Sequence, residues 1–195
     1  FLDMASMYRR EERIFFRHRW YGLLLIGKAL QLVQKLKGHH LSRVELYHYA
    51  ATTAALLSNT IWALLTHPEQ LERLRQRPEL MAGAVEESLR WEAPVQTLTR
   101  HLRRDVELHG ITMKKGDTIS CMIGAANRDP AVFNDPGRLD LGRHNAARNM
   151  SFGGSIHHCL GMALARVEGQ IALGSLVRRF PKMELTAQPE VRSRF

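Results

Sequence analysis

The sequence predicts a mainly helical α+β fold with one small β-sheet. Three observations carry this. Up to Pro94 the chain offers long apolar runs at helical spacing with few breakers. After Pro94, short β-rich segments alternate with glycine turns. Beyond a loop rich in Asp, Asn, Pro, Gly and Arg, a last apolar-periodic run forms a closing helix. The 195 residues suffice for one domain of ordinary size. Apolar residues at 45% and charged residues at 24% exclude a disordered tail and a collagen-like repeat.

Taken in order, residues 4–37 read as helix, with Ile26, Leu30 and Val33 at helical spacing. Their polar positions are mostly basic (Arg9, Arg10, Arg13, Arg17, Arg19), which fits a solvated face or a groove for nucleic acid. The apolar run WYGLLLI, 20–26, is too short to span a bilayer, and no signal peptide is visible. Position 1 is Phe1, so an internal stretch of a longer protein is expected. Residues 41–67 form the next predicted helix, with Ser42 and Glu45 as a capping box. It is apolar on nearly every face, which predicts burial. Pro68 opens the polar helix PEQLERLRQ, and Pro78 starts another that ends near Trp91. Segments 95–108 and 117–123 read as strands of one sheet, with turns at His109-Gly110 and Lys114 to Gly116. Residues 127–158 lack periodicity, and a stretch this long inside a compact domain is usually functional. A helix follows over 159–180, its apolar side carrying Leu164, Val167, Ile171, Leu173 and Val177.

The net charge of +9 points to an anionic partner: nucleic acid, membrane surface, acidic protein or anionic cofactor. Two cysteines cannot make a disulfide framework, so a reducing, cytoplasmic setting is expected. Cys121, in TISCMIG, reads as a buried core thiol. Cys159 has different surroundings. It follows a glycine-rich loop and opens a predicted helix, where free N–H groups and the helix dipole favour thiolate. Gly153, Gly154 and Ser155 would let backbone approach a bulky flat object, and Gly161 would let it lie close to the helix. A thiolate there could ligate heme iron, or the thiol could simply be buried and inert. Zinc is excluded by spacing, because adjacent His157, His158 and Cys159 cannot surround one ion.

The order and spacing of several motifs resemble the cytochrome P450 family of heme-thiolate monooxygenases. Phe152, Gly153, Ser155, His157, Cys159 and Gly161 match the signature F-G-x-G-x-H-x-C-x-G with one change, Ser155 in place of its second glycine. Glu87 and Arg90 resemble the family's E-x-x-R pair, and Arg138 stands where the third member of that charge cluster is expected. Arg100 matches the arginine that holds a heme propionate, and NRDPAVFNDPGRLDLGR resembles the meander of soluble bacterial members. The resemblance implies the C-terminal half of the P450 fold, a single partial heme-thiolate domain over 1–195. Residues 1–40 are then a helical lead-in, 41–67 resemble helix I, 78–92 helix K, 95–123 the small sheet, 127–158 the meander and Cys loop, and 159–180 helix L.

The resemblance also implies function. Heme b would be held by Cys159 as axial ligand, in a pocket shaped by Phe152, Gly153 and Gly161, with Arg100 and His157 on its propionates. Thr52 would hydrogen-bond on the oxygen side. Glu87, Arg90 and Arg138 would brace the Cys loop from behind. An acidic ferredoxin- or flavodoxin-like donor would deliver two electrons at a basic patch of Arg143, Arg148, Arg166, Arg178 and Arg179. The implied reaction inserts one oxygen atom from O2 into an apolar small molecule, with no nucleic acid partner and no membrane span. Family members are considerably longer, so the fragment alone is expected to be inactive.

One region departs from the family. The helix I pattern A-G-x-[DE]-T is here His48, Tyr49, Ala50, Ala51, Thr52, and only Thr52 is kept. Tyr49 is bulky, and Ala51 has no proton to give where the family has its acid. This motivates an alternative, a heme-thiolate protein with atypical chemistry: peroxide-dependent, isomerising or binding only. A basic helical nucleic-acid module is a third reading, carried by charge alone, and no stripe matched to a groove supports it.

Overall fold

The structure, a computed structural model, describes residues 43–185, with side chains from residue 51 onward. The helix expected over 4–37 and the side chains of Ser42, Glu45, His48 and Tyr49 lie outside the described residues.

Local sequence sets the helix ends. Helix α1, Arg43–Thr66, is followed by α2, Pro68–Gln76. A 3-10 turn, Pro78–Leu80, leads into α3, Met81–Trp91. The residue before a proline is pushed out of helical geometry. His67 (φ −128°, ψ 71°) and Arg77 (φ −130°, ψ 73°) precede Pro68 and Pro78 and share almost one conformation. Phe180 (φ −123°, ψ 82°) stands before Pro181 and ends the last helix, α5, Met162–Arg179, in the same way. The His67 carbonyl then accepts from the N–H of Gln70 and Leu71, which starts α2.

Between α3 and α5 lie β1 (Thr97–His101), β2 (Val106–Leu108), β3 (Ile111–Met113), β4 (Thr118–Met122) and a one-turn helix α4 (Ile123–Ala126). The single sheet expected over 95–123 is two antiparallel ladders. β1 pairs with β4, Arg100 opposite Ile119, and β2 pairs with β3, Leu108 opposite Ile111. Side chains interrupt the continuity. The Asp117 carboxylate accepts the Lys114 N–H at 2.7 Å, and the Asp105 carboxylate accepts that of Lys115 at 2.8 Å. The β2–β3 turn has His109 at φ 51° and Gly110 at φ 77°, the primed pair that suits the strand twist. Among the described residues no second layer covers this face of β4, and Cys121 is exposed rather than the core thiol expected.

The core lies where α1, α3 and α5 meet. Leu56, Leu57, Val85, Leu89 and Leu173 form one buried cluster. Ala63, Leu64, Leu71, Leu74, Ala84, Leu139, Leu141 and Val177 form the other, which draws the meander onto α2 and α3. Each fully buried leucine contributes about 1.5–3 kcal/mol.

Two expected faces differ. In α1, burial follows a single stripe, Thr53, Leu56, Leu57, Thr60, Ala63 and Leu64, while Ala51, Thr52, Ala54 and Ala55 are half-covered. The helix therefore has an open side that its composition conceals. In α5, the packed face is Gly169, Leu173, Gly174 and Val177, whereas Val167 and Ile171 are exposed. The reason is close approach. A Cβ at Gly169 would stand 3.3 Å from both Val85 methyls and 3.6 Å from Leu56. Hydrophobic counting overlooks a contact face built on glycine.

Candidate functional site

The site is built on α3 and the long loop that follows the sheets. Glu87 and Arg90 lie one turn apart on α3, and both side chains are fully buried. Their pairing is bidentate: Arg90 Nε donates to Glu87 Oε2 at 2.7 Å and Arg90 Nη2 to Oε1 at 2.8 Å. The remaining Arg90 N–H groups reach the carbonyls of Asn127 (2.9 Å), Pro136 (2.8 Å) and Arg138 (3.1 Å). All five guanidinium donors are thus used, which lets a charge sit in the interior. The guanidinium also lies 5.3 Å over the Phe133 ring.

The third cation of the cluster is Arg143, not Arg138. Arg143 Nε donates to both Glu87 oxygens at 3.1 Å, and its side chain is 8% exposed. Arg143 N–H groups also reach the carbonyls of Asn134, Asp135 and Arg138. Arg138 offers its carbonyl to both guanidinia, while the residue itself is exposed and its charge acts on Asp140. The choice is made by the backbone. A turn closed by Arg143 N–H to Asp140 O, 3.0 Å, brings Arg143 back over Glu87. Asp140 N–H donates to Glu87 Oε1 as well, at 3.0 Å.

The same loop continues into the signature segment through Asn127, which is wholly buried. Its Nδ2 donates to Ser151 Oγ (2.9 Å) and Leu89 O (3.3 Å), and its Oδ1 accepts the Met150 N–H (2.7 Å). Ser151 Oγ donates to Leu89 O at 2.6 Å. The next residue, Phe152, packs against the Leu56–Leu173 cluster. Its carbonyl accepts the Cys159 N–H at 2.9 Å, closing the loop on itself. Helix α5 therefore starts at Met162, with Gly161 as its cap, and Cys159 stands in the turn before it. Only the Cys159 carbonyl joins the helix start, accepting from Met162 N–H at 3.3 Å.

The loop tip, from Ser155 through Leu160, is exposed, with Ile156 at 90% and Leu160 at 97%. Gly153 has φ 72°, and Ser155, the one departure from the signature, has φ 56°. A left-handed residue with a Cβ costs roughly 1–2 kcal/mol. This is the physical reason a glycine suits position 155.

A bare thiol, two apolar side chains and a small-residue rim open outward together. No cluster of other metal-binding groups occurs among the described residues. These features fit a flat, largely apolar group ligated by one thiolate. The other candidate residues are more dispersed. Arg100, on β1, donates to the Thr99 carbonyl. His157 is exposed at the loop tip, and Thr52 lies on the half-covered side of α1. Next to Thr52, Thr53 is buried and hydrogen-bonds Glu168 of α5, whose carboxyl burial pushes above its ordinary range against that bond. The expected basic patch divides. Arg143 and Arg166 are tied to Glu87 and Glu86, which leaves Arg148, Arg178 and Arg179 exposed. Arg143 and Arg166 were visible in the sequence only as surface charge. Asn127 was visible only as part of the meander.

A thiol-bearing loop in front of a helix, held by a buried Glu-Arg-Arg cluster on a mainly helical frame, defines the heme-thiolate class. The sequence profile of the cytochrome P450 family matches residues 50–193, and the chain belongs to that family. It is 44% identical over 134 residues to the biotin biosynthesis cytochrome P450 of Bacillus subtilis, covering 69% of this chain and 34% of that one. It is 50% identical over 130 residues to the putative cytochrome P450 140 of Mycobacterium tuberculosis, covering 67% and 30%. The crystal structure of P450BioI in complex with hexadec-9Z-enoic acid ligated acyl carrier protein matches with a TM-score of 0.72 and 34% identity. That match covers 87% of this chain and 48% of that one. The chain thus spans about a third of the length of these curated relatives. No helix among the described residues is long and apolar enough to cross a membrane.

Two outcomes test this geometry in the full-length, heme-loaded protein. Arg143→Ala should cost about 3–5 kcal/mol in urea unfolding, because it leaves Glu87 underpaired in the interior. Arg138→Ala should cost less than about 0.5 kcal/mol, as a surface change does. Equal losses would return the Arg138 side chain to the cluster. Ser155→Gly should raise stability by about 1 kcal/mol through relief of the left-handed residue. A lowered melting temperature would show that the serine side chain itself holds the loop.

Proposed function

We propose that the protein containing this chain is a heme-dependent monooxygenase that inserts one oxygen atom from O2 into an apolar small molecule. The observation that carries the reading is the exposed Cys159 thiol, presented at the end of a loop anchored through Phe152 to the core. The fatty acyl chain of the complexed relative is one molecule of the substrate class. Heme b, held by the Cys159 thiolate, would supply the dioxygen chemistry when bound.

The chain's own residues have separate tasks in this reading. Cys159 ligates iron, and the carbonyl of Phe152 holds its backbone. Arg100 and His157 pair with the propionates; His157 is exposed, and Arg100 is half-buried on β1 with one N–H on the Thr99 carbonyl. Gly153 and Gly161 have no side chain to fill the loop flank where the ring system would be held. Thr52 donates or accepts a hydrogen bond on the oxygen side. Glu87, Arg90 and Arg143 keep the meander rigid behind the loop. Arg148, Arg178 and Arg179 form the landing area for an acidic ferredoxin- or flavodoxin-like electron donor, consistent with a cytoplasmic protein.

A second reading keeps the heme and changes the chemistry. Position 51 offers a methyl group where the family has a carboxylic acid. A peroxide-dependent enzyme, an isomerase or a binding protein would not need that acid. General-acid help is worth about 10²–10⁴-fold in rate, so its loss is consequential for an O2-dependent reaction.

One experiment tests the ligand that both readings share, and a second separates them. In the full-length protein, Cys159→Ser should abolish the thiolate-type absorption of the ferrous carbon monoxide complex, while Cys121→Ser leaves it unchanged. A thiolate spectrum surviving in the Cys159 variant would remove the ligand assignment. For the acid, wild-type protein should couple electron supply to product poorly and release peroxide, and Ala51→Asp should improve the coupling. Tight coupling in the wild type would mean that another group delivers the proton. Peroxide-driven turnover with no gain from Ala51→Asp would favour the second reading.

A further inference from the structure

Helix α3 carries two adjacent carboxylates, and each serves a different part of the site. Glu87 takes Arg90 and Arg143 and so binds the meander. Glu86 points about 100° further round the helix, as successive residues do. It takes Arg166 of α5 through that residue's Nε and Nη2, the latter at 3.1 Å. It also accepts Asn149 Nδ2 at 3.0 Å, and Asn149 Oδ1 accepts the Ser151 N–H at 3.1 Å. Glu86 thereby grips both arms of the cysteine loop: the segment that enters it and the helix that leaves it.

Arg166 completes the circuit. Its guanidinium lies 4.9 Å from the centre of the Phe152 ring, within cation–π range. Phe152 in turn holds the Cys159 N–H on its carbonyl. Three successive contacts therefore connect the Glu86 carboxylate to the backbone of Cys159. The loop needs such a hold. Its tip from Ser155 to Leu160 is exposed, and Ser155 is in a strained conformation. Little packing at the tip itself can keep the thiol in place, so its position is inherited from the base.

We propose that Glu86 and Arg166 are positioning residues for Cys159, clamping Phe152 so that the thiolate stays where the iron is bound. The proposal rests on Cys159 being the axial ligand. It assigns Arg166 an internal task in place of a role in partner docking. It also separates the clamp from the Glu87 cluster, whose loss is a loss of folding.

The test uses the full-length, heme-loaded protein with variants Arg166→Gln, Glu86→Gln, the double variant and Arg166→Lys. The readout is the rate at which the ferrous carbon monoxide complex passes from thiolate-ligated to thiolate-free absorption, with a circular-dichroism melt on the same samples. Partners that orient a metal ligand typically matter by about 10–100-fold, so either glutamine variant should convert roughly tenfold faster than wild type or more. Their melting temperatures should stay near that of wild type. The double variant should convert no faster than the singles, because the pair acts as a unit. Arg166→Lys should fall in between, keeping the charge but losing the flat two-donor face.

Wild-type rates in both single variants would overturn the proposal, as would effects that add in the double. An acceleration that simply tracks a falling melting temperature would make the pair structural only and would also overturn it. Should the glutamine variants take up no heme, Arg166→Lys decides: conversion at the wild-type rate refutes the clamp. A wild-type protein that never shows thiolate-type absorption refutes the ligand assignment instead, and the clamp falls with it.

Discussion

The Glu87 carboxylate is a charge with no access to water, and much of the described structure is arranged to make it tolerable. An isolated carboxylate in a protein interior is costly unless it is paired and hydrogen-bonded. Here two guanidinia and the Asp140 N–H surround it. Those guanidinia carry one positive charge more than Glu87 neutralises, and backbone carbonyls take up the excess. Asn127, Asn134, Asp135, Pro136 and Arg138 all supply their oxygens. The result explains how a loop of some thirty residues with little regular structure can be rigid. Its carbonyls have partners as defined as those of a helix, but the partners are side chains.

That rigidity is delivered to the cysteine segment through a second set of contacts. Asn127 belongs to both sets, since its carbonyl binds Arg90 and its side chain binds Ser151 and Met150. The loop carrying Cys159 is therefore fastened at its base and open at its tip. A fixed base sets direction, and an open tip admits a large planar group. The half-covered side of α1, with Thr52, and the exposed tip are both sparsely packed.

The helical frame was legible in the sequence because its signals are local. Pro68, Pro78 and Pro181 mark helix ends by steric exclusion, and the apolar content of α1 marks it as a packed helix. The glycine-bearing signature around Cys159 was legible because a close backbone approach demands small residues at fixed spacing. What was misread depended on geometry across the fold. Arg138 and Arg143 are five residues apart in one loop, and only the turn at Asp140 decides which side chain meets Glu87. Cys121 lies in a strand-like apolar segment, yet among the described residues nothing is packed over it. Leu173 and Val177 were read correctly as the core face of α5, but Val167 and Ile171 were not: the rest of the face is Gly169 and Gly174, which hydropathy does not register.

Gly169 has a kinetic consequence. The cluster it completes joins Leu56 of α1 and Val85 of α3 to Leu173 of α5, which comes much later in the chain. During synthesis, α1 and α3 emerge long before α5, so the part of their apolar stripes that α5 covers must wait for it. Closing a loop of this length is paid in chain entropy before any contact repays it. The assembly of this core is therefore a late event, and the interval before it is when the chain is most exposed to aggregation.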